Sequence, residues 1–341
     1  MRKQLEKLLN HENLTVDEMK HATAHCFTPT ITDTEIASLL TALRAKGETA
    51  DEITGIVEVI RSASQSIPTS LPHVMDNCGT GGDQSNSFNI STTAAFVIAG
   101  AGVTIAKHGN RSISSKTGSA DVLEHLGISL SFQPEQTEEI LQENGIAFLF
   151  APHVHPNLKR FMKVRKELGL PTIFNLIGPL TNPVKLDSQL LGIYRRDMLD
   201  LMAESLNKLG RRRALVVNGS GYMDEASLAG ENHLVLLEDG KTSSFTLRPE
   251  EVGLATYNNE QIRGGSAKDN AVILQNVLHG KKGPYLDTVL LNAALGLFAN
   301  GKAHTIEEGI RLAKESIESG AALDKLHRLV DFSKQIPSEV V

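Results

Sequence analysis

Hydrophobic residues follow two different rhythms along this chain. Up to about residue 61 they recur at helical spacing, and the run from Ile53 to Ile60 places them at i, i+3, i+4 and i+7. Further along, short apolar runs alternate with stretches of helical pattern. This alternation is typical of a mostly parallel central sheet with helices on both faces. The pattern therefore predicts a small all-helical domain followed by a large α/β domain.

The boundary between these domains is marked by capping signals and by a change in composition. Helix starts of the Thr-x-x-Glu type occur at Thr15 with Glu18, Thr32 with Glu35, and Thr49 with Glu52. The stretch 62–72 is small, polar and punctuated by proline, which predicts a linker. We therefore expect a helical domain at residues 1–68 and an α/β domain at residues 73–341.

The α/β part predicts a series of strands. The expected strands begin at Val74–Met75 and continue with Val103–Ala106, Ile128–Leu130, Ile146–Phe150, Leu190–Tyr194 and Ala214–Val217. The Asp239-Gly240 turn predicts an antiparallel hairpin over residues 233–247, and the chain returns to helix from Ala267. In such a sheet, ligands bind at the carboxyl ends of the strands.

A glycine-rich loop follows the first predicted strand. Gly79, Gly81 and Gly82 lie in the segment DNCGTGGD, and a backbone of this kind can take positive φ and point N–H groups at an anion. Ser91 or Thr92 is placed at the N-terminus of the apolar helix that follows. The loop is either a phosphate cradle or a tight turn before an ordinary helix cap.

Two further loops and one helix carry candidate chemistry. Residues 107–119, KHGNRSISSKTGS, combine cations, serines and glycines, which suits phosphate groups, although a solvated loop has the same composition. Asp224 and Glu225 lie in a glycine-rich loop and suit Mg²⁺, although an acidic pair is commonly just surface. A basic helix between Pro156 and Leu168 carries Arg165, whose planar fork suits a carboxylate; its spacing does not distinguish it from its basic neighbours.

Composition narrows the function classes. The formal net charge of −6 argues against non-specific nucleic-acid binding. The two cysteines are too few for a disulfide framework, so a reducing cytosol is the default expectation, and the N-terminus has no membrane-spanning or signal-peptide pattern. The sequence has no Walker lysine, no dinucleotide fingerprint and no nucleophile elbow, which disfavours those three enzyme classes.

The order of the motifs resembles one family. GTGGD, FNIST, KHGNRxxSxxxGSAD, FNLxGPLTNP and a final Asp-Glu pair resemble the anthranilate phosphoribosyltransferases of tryptophan biosynthesis. The resemblance implies a helical domain, joined by helices from about 155–205, against an α/β domain, in a cytoplasmic homodimer. It implies transfer of phosphoribosyl from 5-phosphoribosyl 1-pyrophosphate (PRPP) to the amine of anthranilate, giving N-(5-phosphoribosyl)anthranilate and pyrophosphate. The resemblance also raises an association with anthranilate synthase. It implies neither a nucleic-acid partner nor a membrane partner.

The resemblance also implies specific site residues. The implied PRPP contacts are Gly79, Gly82, Asp83, Ser87, Asn89, Ile90, Ser91, Thr92, Lys107, His108, Gly109, Asn110, Arg111, Ser112, Ile113, Ser114, Ser115 and Ser119. The implied anthranilate contacts are Gly79, His108, Asn110, Arg165 and Pro179. Ser91, Asp224 and Glu225 are the implied ligands of two Mg²⁺ ions, and Lys107 and Arg165 the implied catalytic residues.

Three alternatives stay open. A nucleoside phosphorylase would share the fold but carry a different lysine-serine loop in place of KHGNR. A related transferase could act on another aromatic acceptor. A binding-only relative would be expected to have lost Asp224, Glu225, Lys107 or Arg165, and all four are present.

Overall fold

A computed structural model describes residues 1–111 and 117–335 of the chain. Four helices precede the first strand: α1 (Arg2–Leu9), α2 (Val16–Cys26), α3 (Asp33–Lys46) and α4 (Ala50–Ser62). The later helices are α5 (Ile90–Gly100), α6 (Ser119–His125), α7 (Pro134–Asn144), α8 (Ala151–Val154), α9 (Lys159–Leu168), α10 (Phe174–Ile177), α11 (Leu199–Lys208), α12 (Ala267–Leu278), α13 (Pro284–Asn300), α14 (Ile306–Glu318) and α15 (Ala321–Lys334). In these ranges, no helix combines the length and apolar composition that a bilayer crossing needs.

The strands form one sheet. They are β1 (Met75–Gly79), β2 (Ile105–Gly109), β3 (Ile146–Phe150), β4 (Ser188–Gly192), β5 (Arg213–Asn218), β6 (Asn232–Glu238) and β7 (Lys241–Leu247). Their order is β3-β2-β1-β4-β5-β6-β7, parallel from β3 to β5, with β6 and β7 antiparallel as the predicted hairpin. The strand order reverses beside β1, where crevices open at the carboxyl edge of such a sheet. The predicted fold class is confirmed.

The three predicted capping boxes are present at the starts of α2, α3 and α4. In each, the threonine side chain accepts from the backbone of the glutamate three residues later, and that glutamate side chain accepts in return. These contacts satisfy N–H groups that a helix start leaves unpaired. The Thr-x-x-Glu patterns in the sequence therefore correctly predict where α2, α3 and α4 begin.

Alternate residues of the central strands point into two separate buried cores. Leu190 and Leu215 pack with α5, α13 and the other C-terminal helices on one face of the sheet. Leu191 and Val216 pack with α1–α4, α9 and α11 on the other face. The period of two along a strand accounts for this division. On the face of Leu191 and Val216, α11 packs against β5 and β6, and α4 packs against α11, so the N-terminal helices join the sheet through a shared core.

Four predicted elements differ from the structure. The strand predicted at Leu190–Tyr194 lies two residues earlier, at Ser188–Gly192. Ile128–Leu130 is not a strand; Ile128 is buried in the core, but the Ser129 N–H donates to Oγ of Ser333 rather than to a neighbouring strand. The strand predicted at Val103–Ala106 begins at Ile105 and runs through Lys107 and His108. The basic helix begins at Lys159, after a short 3-10 turn, because prolines interrupt the preceding segment.

Candidate active site

Loops after β1 and β5 meet at the carboxyl edge of the sheet. The Gly81 N–H donates to Oδ2 of Asp224 at 2.6 Å, although the two residues are far apart in sequence. The Ser91 N–H, in the first turn of α5, donates to Oε1 of Glu225 at 3.1 Å. The glycine loop, the start of α5 and the acidic pair therefore share one crevice.

Glycine is required in this loop for both space and conformation. A Cβ at Gly79 would lie 2.8 Å from the carbonyl oxygen of Asp224 and closer still to its carboxylate. Gly81 and Gly82 have φ values of +71° and +86°, which residues with a Cβ rarely adopt. The Asp83 carboxylate accepts from the Ser85 N–H at 3.1 Å and so closes the turn. The backbone of β1 is thereby pressed directly against the acidic pair.

The start of α5 differs from the prediction that Ser91 or Thr92 caps it. The N-cap residue is Asn89, which makes no side-chain capping bond, and Ser91 and Thr92 lie in the first turn. The negative charge at this helix start comes from Glu225, a favourable partner for the positive end of the helix dipole. The helix N-terminus is therefore neutralised from the acidic loop and not from its own cap.

Other residues implied for PRPP contacts line the same loop. Ser87 forms an isolated bridge with Arg263, and Oδ1 of Asn89 accepts from Nδ2 of Asn270 at 2.8 Å. Ile90 begins α5 and is buried. These contacts tie the loop between β1 and α5 to the first turn of α12 and to the segment before it.

Lys107 is a buried strand residue beside the acidic pair. Its Nζ donates to the carbonyl oxygen of Asn77 at 2.6 Å and lies 3.4 Å from Oγ of Ser91. Burial raises the pKa of Glu225, and Lys107 is the group that opposes this rise most strongly. A buried ammonium in this position places positive charge where the glycine loop, α5 and Glu225 converge.

The acidic loop concentrates negative charge. Burial is the main cause that raises the pKa of Glu225 to about 7, with a contribution from Asp83. Burial, Asp83 and Glu225 raise the pKa of Asp224 well above its usual range. Carboxyl groups in this condition are stabilised by a bound cation.

The donor set fits Mg²⁺ bound together with a substrate. Within the described residues, no three His, Cys, Asp or Glu side chains converge as a complete metal cage. Mg²⁺ is commonly held by one or two carboxylates while substrate phosphates and water complete its shell. The carboxylates of Asp224 and Glu225, with the Ser91 hydroxyl near Glu225, are a hard oxygen set of that kind.

His108 and Asp76 lie in a buried network below the site. The His108 N–H donates to Oδ1 of Asp76 at 3.3 Å, and Nδ2 of Asn182 donates to Oδ2 of Asp76 at 3.0 Å. Burial is the main cause that raises the pKa of Asp76 to about 6. Burial, with His155 next, lowers the pKa of His108 to about 3, so its imidazole is neutral.

Two residues in this region were not found by sequence reasoning. His155 packs edge-on against His108, with ring centroids 5.2 Å apart. Arg61, in the last full turn of α4, donates through Nε to the carbonyl oxygen of Leu180 at 2.9 Å. Its Nη2 is buried without a partner among the described residues. A strand-end signal for His155 existed, since it follows β3, whereas Arg61 looks like an ordinary basic helix end.

The turn Gly178–Thr181 forms a rigid wall beside these residues. Its carbonyl oxygens accept from different elements: Pro179 from Nε2 of Gln189 at 2.7 Å, and Leu180 from Arg61. Pro179 is buried, and a Cβ at Gly178 would meet no atom within 4 Å. Hydrogen bonds therefore hold the backbone of this turn in place, and open space lies beside Gly178.

Arg165 is the basic residue of α9 whose side chain packs over an aromatic ring. Its guanidinium carbon lies 5.1 Å from the centroid of the Phe174 ring, and Nη2 is 3.4 Å from Oδ1 of Asn175. Arg160 and Lys163 pair with Asp33, whereas no ion pair of Arg165 occurs in the described ranges. Burial lowers the pKa of Arg165. Arg165 is thus a partly desolvated cation available to an external anion.

The cationic loop after β2 is only partly described. Ser112, Ile113, Ser114 and Ser115 lie outside the described residues. Oδ1 of Asn110 accepts from the Arg111 N–H, and its carbonyl oxygen accepts from Oγ of Ser119 at 3.2 Å. A Cβ at Gly109 would lie 2.5 Å from that Ser119 oxygen. The guanidinium of Arg111 is bonded to Asp121 and Glu124, so protein carboxylates occupy the side chain that was predicted to contact PRPP.

Comparison with known proteins places this geometry in a class. A family model for the helical bundle domain of a glycosyl transferase family matches residues 2–64. The model for the a/b domain of that family matches residues 71–323. The fold and site therefore define a two-domain glycosyl transferase.

Relatives specify the class further. An anthranilate phosphoribosyltransferase of Listeria monocytogenes is 57% identical over 97% of this chain and 98% of its own length. The crystal structure of the Thermus thermophilus enzyme of that name has a TM-score of 0.92 at 41% identity, covering 97% of this chain and 99% of that one. The Saccharomyces cerevisiae enzyme in complex with PRPP and Mg has a TM-score of 0.89 at 29% identity, covering 97% of each chain. This chain belongs to the anthranilate phosphoribosyltransferase family, so the resemblance predicted from the motifs is confirmed.

Proposed function

We propose that this chain transfers the phosphoribosyl group of PRPP to the amine of anthranilate in tryptophan biosynthesis, with Mg²⁺. The observation that carries this is the hydrogen bond from Gly81 to Asp224, which joins a backbone anion cradle to an acidic pair. A relative of this chain binds PRPP and Mg. The products are N-(5-phosphoribosyl)anthranilate and pyrophosphate.

The donor half of the site is the crevice between the glycine loop, α5 and the acidic loop. The N–H groups of Gly81 and Ser91 already bond Asp224 and Glu225, so the other backbone N–H groups of the glycine loop and of the start of α5 would receive phosphate oxygens. Ser91, Asp224 and Glu225 would hold two Mg²⁺ ions, and bound Mg²⁺ would neutralise the pyrophosphate leaving group. Lys107 adds fixed positive charge at the same place. The remaining implied PRPP residues on the loops after β1 and β2 would complete this half.

The acceptor half is the space beside the Gly178–Thr181 turn. Arg165 is the candidate for the anthranilate carboxylate, because its planar fork matches a carboxylate and no protein acid within the described residues pairs with it. Asn110, His108, Pro179 and the backbone of Gly79 would orient the ring. His108 and Pro179 are both buried, so the walls of this half are shielded from solvent.

The chemistry is a substitution at the anomeric carbon of the sugar. A bond forms between the amine nitrogen and that carbon, while its bond to the pyrophosphate oxygen breaks. The weak aromatic amine and the good leaving group favour an oxocarbenium-like transition state with inversion. Preorganised charge from Lys107 and backbone N–H groups stabilises the departing pyrophosphate. The amine proton leaves to water, since the nitrogen becomes strongly acidic once bonded.

One assay tests this function against its alternatives. The protein is incubated with PRPP, Mg²⁺ and anthranilate, and the loss of anthranilate fluorescence is followed; we expect turnover that stops when Mg²⁺ is omitted. Phosphorolysis of a pyrimidine nucleoside, or turnover of another aromatic amine in preference to anthranilate, would overturn the proposal. Binding of PRPP without turnover would indicate a binding-only relative.

The assembly and domain organisation form a separate proposal. We infer two units, residues 1–68 joined by helices from about 155–205, and residues 73–341, supported by the packing of α1–α4 with α9 and α11 in one buried core and by the proline-punctuated linker. We also infer a homodimer, supported by large apolar side chains exposed on the helical part, such as Leu9 at 71% and Leu170 at 63%. Sedimentation velocity tests the dimer, and adding an anthranilate synthase to the same experiment tests that association.

A further inference from the structure

The acidic pair is carried on a loop whose backbone is held from behind by one side chain. Oδ1 of Asn292 accepts from the Ala226 N–H at 2.9 Å, and its Nδ2 donates to the Ala226 carbonyl oxygen at 2.9 Å. The N–H and the carbonyl oxygen of Ala226, which directly follows Glu225, are therefore both bonded to the side-chain amide of Asn292. The same Nδ2 also donates to the carbonyl oxygen of Thr288 at 2.9 Å.

The surroundings of Asn292 make this contact specific. Asn292 is 1% exposed and lies on α13, where most neighbours are Leu, Val and Ala. A buried amide in such a helix costs free energy unless it is hydrogen-bonded. The contacts to Ala226 and Thr288 occupy its acceptor and both of its donors. An apolar residue of similar shape would suit the helix itself equally well, so the amide serves the loop.

The opposite side of the same backbone is fixed by contact with strand ends. A Cβ at Gly192 would collide with the carbonyl oxygen of Asp224, and a Cβ at Gly219 would collide with the carbonyl oxygen of Glu225. Residues 224–226 are thus confined between the ends of β4 and β5 on one side and Asn292 on the other. Without the amide, the strand-end contacts and the hydrogen bonds from Gly81 and Ser91 to the two carboxylates would remain, but the Ala226 backbone would lose both of its bonds to Asn292.

We infer that Asn292 is a positioning residue that fixes the Asp224–Glu225 backbone for binding of PRPP with Mg²⁺. The inference rests on the proposed function. Partners that orient metal-binding side chains without touching the metal commonly change metal affinity or activity by about 10- to 100-fold when removed. Asn292 touches neither substrate nor reacting atoms in this assignment, and it acts only through Ala226.

The test compares Asn292→Leu with Thr288→Val. Thr288 is buried one turn earlier on α13 and bonds only its own helix, through Oγ1 to the carbonyl oxygen of Pro284. Calorimetric titration with PRPP in the presence of Mg²⁺ should show a dissociation constant about 10- to 100-fold weaker for Asn292→Leu. Thr288→Val should stay within about twofold of the wild type, and the KM for anthranilate should change less than about twofold in both variants.

The outcomes separate this inference from the proposed function. If the wild type itself does not bind PRPP with Mg²⁺, the proposed function is wrong. If Asn292→Leu binds as tightly as Thr288→Val, only the role of Asn292 is wrong. Should Asn292→Leu not fold, Asn292→Ser is judged by the same criterion. Independently of any variant, hydrogen exchange of the folded wild type must show a protected Ala226 amide, and rapid exchange there would overturn the inference.

Discussion

The two halves of the crevice beside Gly79 have opposite electrostatic character. On one side, burial and the nearby charge of Asp83 raise the pKa of both Asp224 and Glu225, and backbone contacts crowd the glycine loop against them. On the other side, burial lowers the pKa of His155 to about 4 and that of Arg61 to about 10, and open space adjoins Gly178. Burial therefore disfavours negative charge in the first half and positive charge in the second.

This difference shows how one crevice can hold two unlike ligands. A cluster of destabilised carboxyl groups is relieved by a cation, and a cluster of desolvated cationic or basic groups is relieved by an anion. The first half suits a metal-bound pyrophosphate and the second suits a carboxylate. On the acid side, Gly79 leaves no room for a Cβ, because a Cβ there would collide with the carboxylate and the carbonyl oxygen of Asp224.

The largest effect is expected from removing both carboxylates, in the variant Asp224→Asn with Glu225→Gln. Loss of the metal-binding charge should lower kcat/KM for PRPP by about 10³-fold or more, equivalent to several kcal/mol of transition-state stabilisation. The same variant should unfold at a higher temperature than the wild type without ligands, because buried like charges are gone. Steady-state kinetics and calorimetry measure the two effects. Full activity, or lower stability without ligands, would contradict the assigned character of this half.

The next largest effect is expected when a methyl group is added to a glycine in the crowded half, and it is compared with the same change in the open half. Gly79→Ala should lower kcat/KM by about 10²-fold, because the new Cβ displaces the Asp224 carboxylate by a distance on the order of 1 Å. Gly178→Ala is the matched control: its φ of −45° suits alanine and its Cβ meets no atom. That variant should keep its affinity for PRPP and unfold at the same temperature as the wild type or slightly higher. Equal loss of PRPP affinity in both variants would remove the distinction between a crowded half and an open half.

Much of the fold follows from local pattern. Apolar runs such as Ile146–Phe150 were correctly predicted because a strand buried on both faces needs an unbroken hydrophobic run. Ile128–Leu130 was misread since its isolated buried residue belongs to a loop whose N–H bonds Ser333. The end of β2 was hidden because Lys107 and His108 are polar, and only the tertiary contacts to Asn77 and Asp76 make burying them favourable.

The site divides in the same way between local and distant information. Glycine turns and adjacent acids at strand ends are local signals, so the donor half could be predicted as a unit. Arg61 and His155 carry no motif, and their role depends on how the helical part packs against the Gly178–Thr181 turn. The hydrogen bonds of Asn292 connect residues 66 positions apart, which no periodicity in the sequence encodes.

A smaller effect, confined to the acceptor half, is expected from Arg165→Ala. Removing a partly desolvated cation that bonds a carboxylate should raise the KM for anthranilate by about 10- to 100-fold, with little change in the KM for PRPP. Arg160→Ala is the matched control on the same helix, since Arg160 pairs with Asp33 at 2.7 Å and near the surface. It should leave both constants within about twofold. A parallel rise in both KM values for Arg165→Ala would mean that the variant disturbs the whole crevice.

The smallest effect is a change in the pH dependence of stability, and it isolates one imidazole. Burial is the main cause that lowers the pKa of His155 to about 4, with Arg61 adding to it, whereas the backbone of Thr181 acts in the opposite direction. Below its ordinary pKa near 6.5, the unfolded state binds a proton that the folded state refuses. The wild type should therefore lose stability relative to His155→Gln as the pH falls from about 6.5 to about 4, by about 1.4 kcal/mol per pH unit.

Urea unfolding of both proteins at several pH values measures this difference, and subtraction removes the contribution of the acidic half. That contribution has the opposite sign, because the raised pKa values of Asp224 and Glu225 make the folded state gain stability as the pH falls. Repeating the series at higher salt should leave the difference intact, since desolvation is not screened. A difference that stays constant with pH would show that His155 is not desolvated, and the acceptor half would then lose the character that separates it from the acidic half.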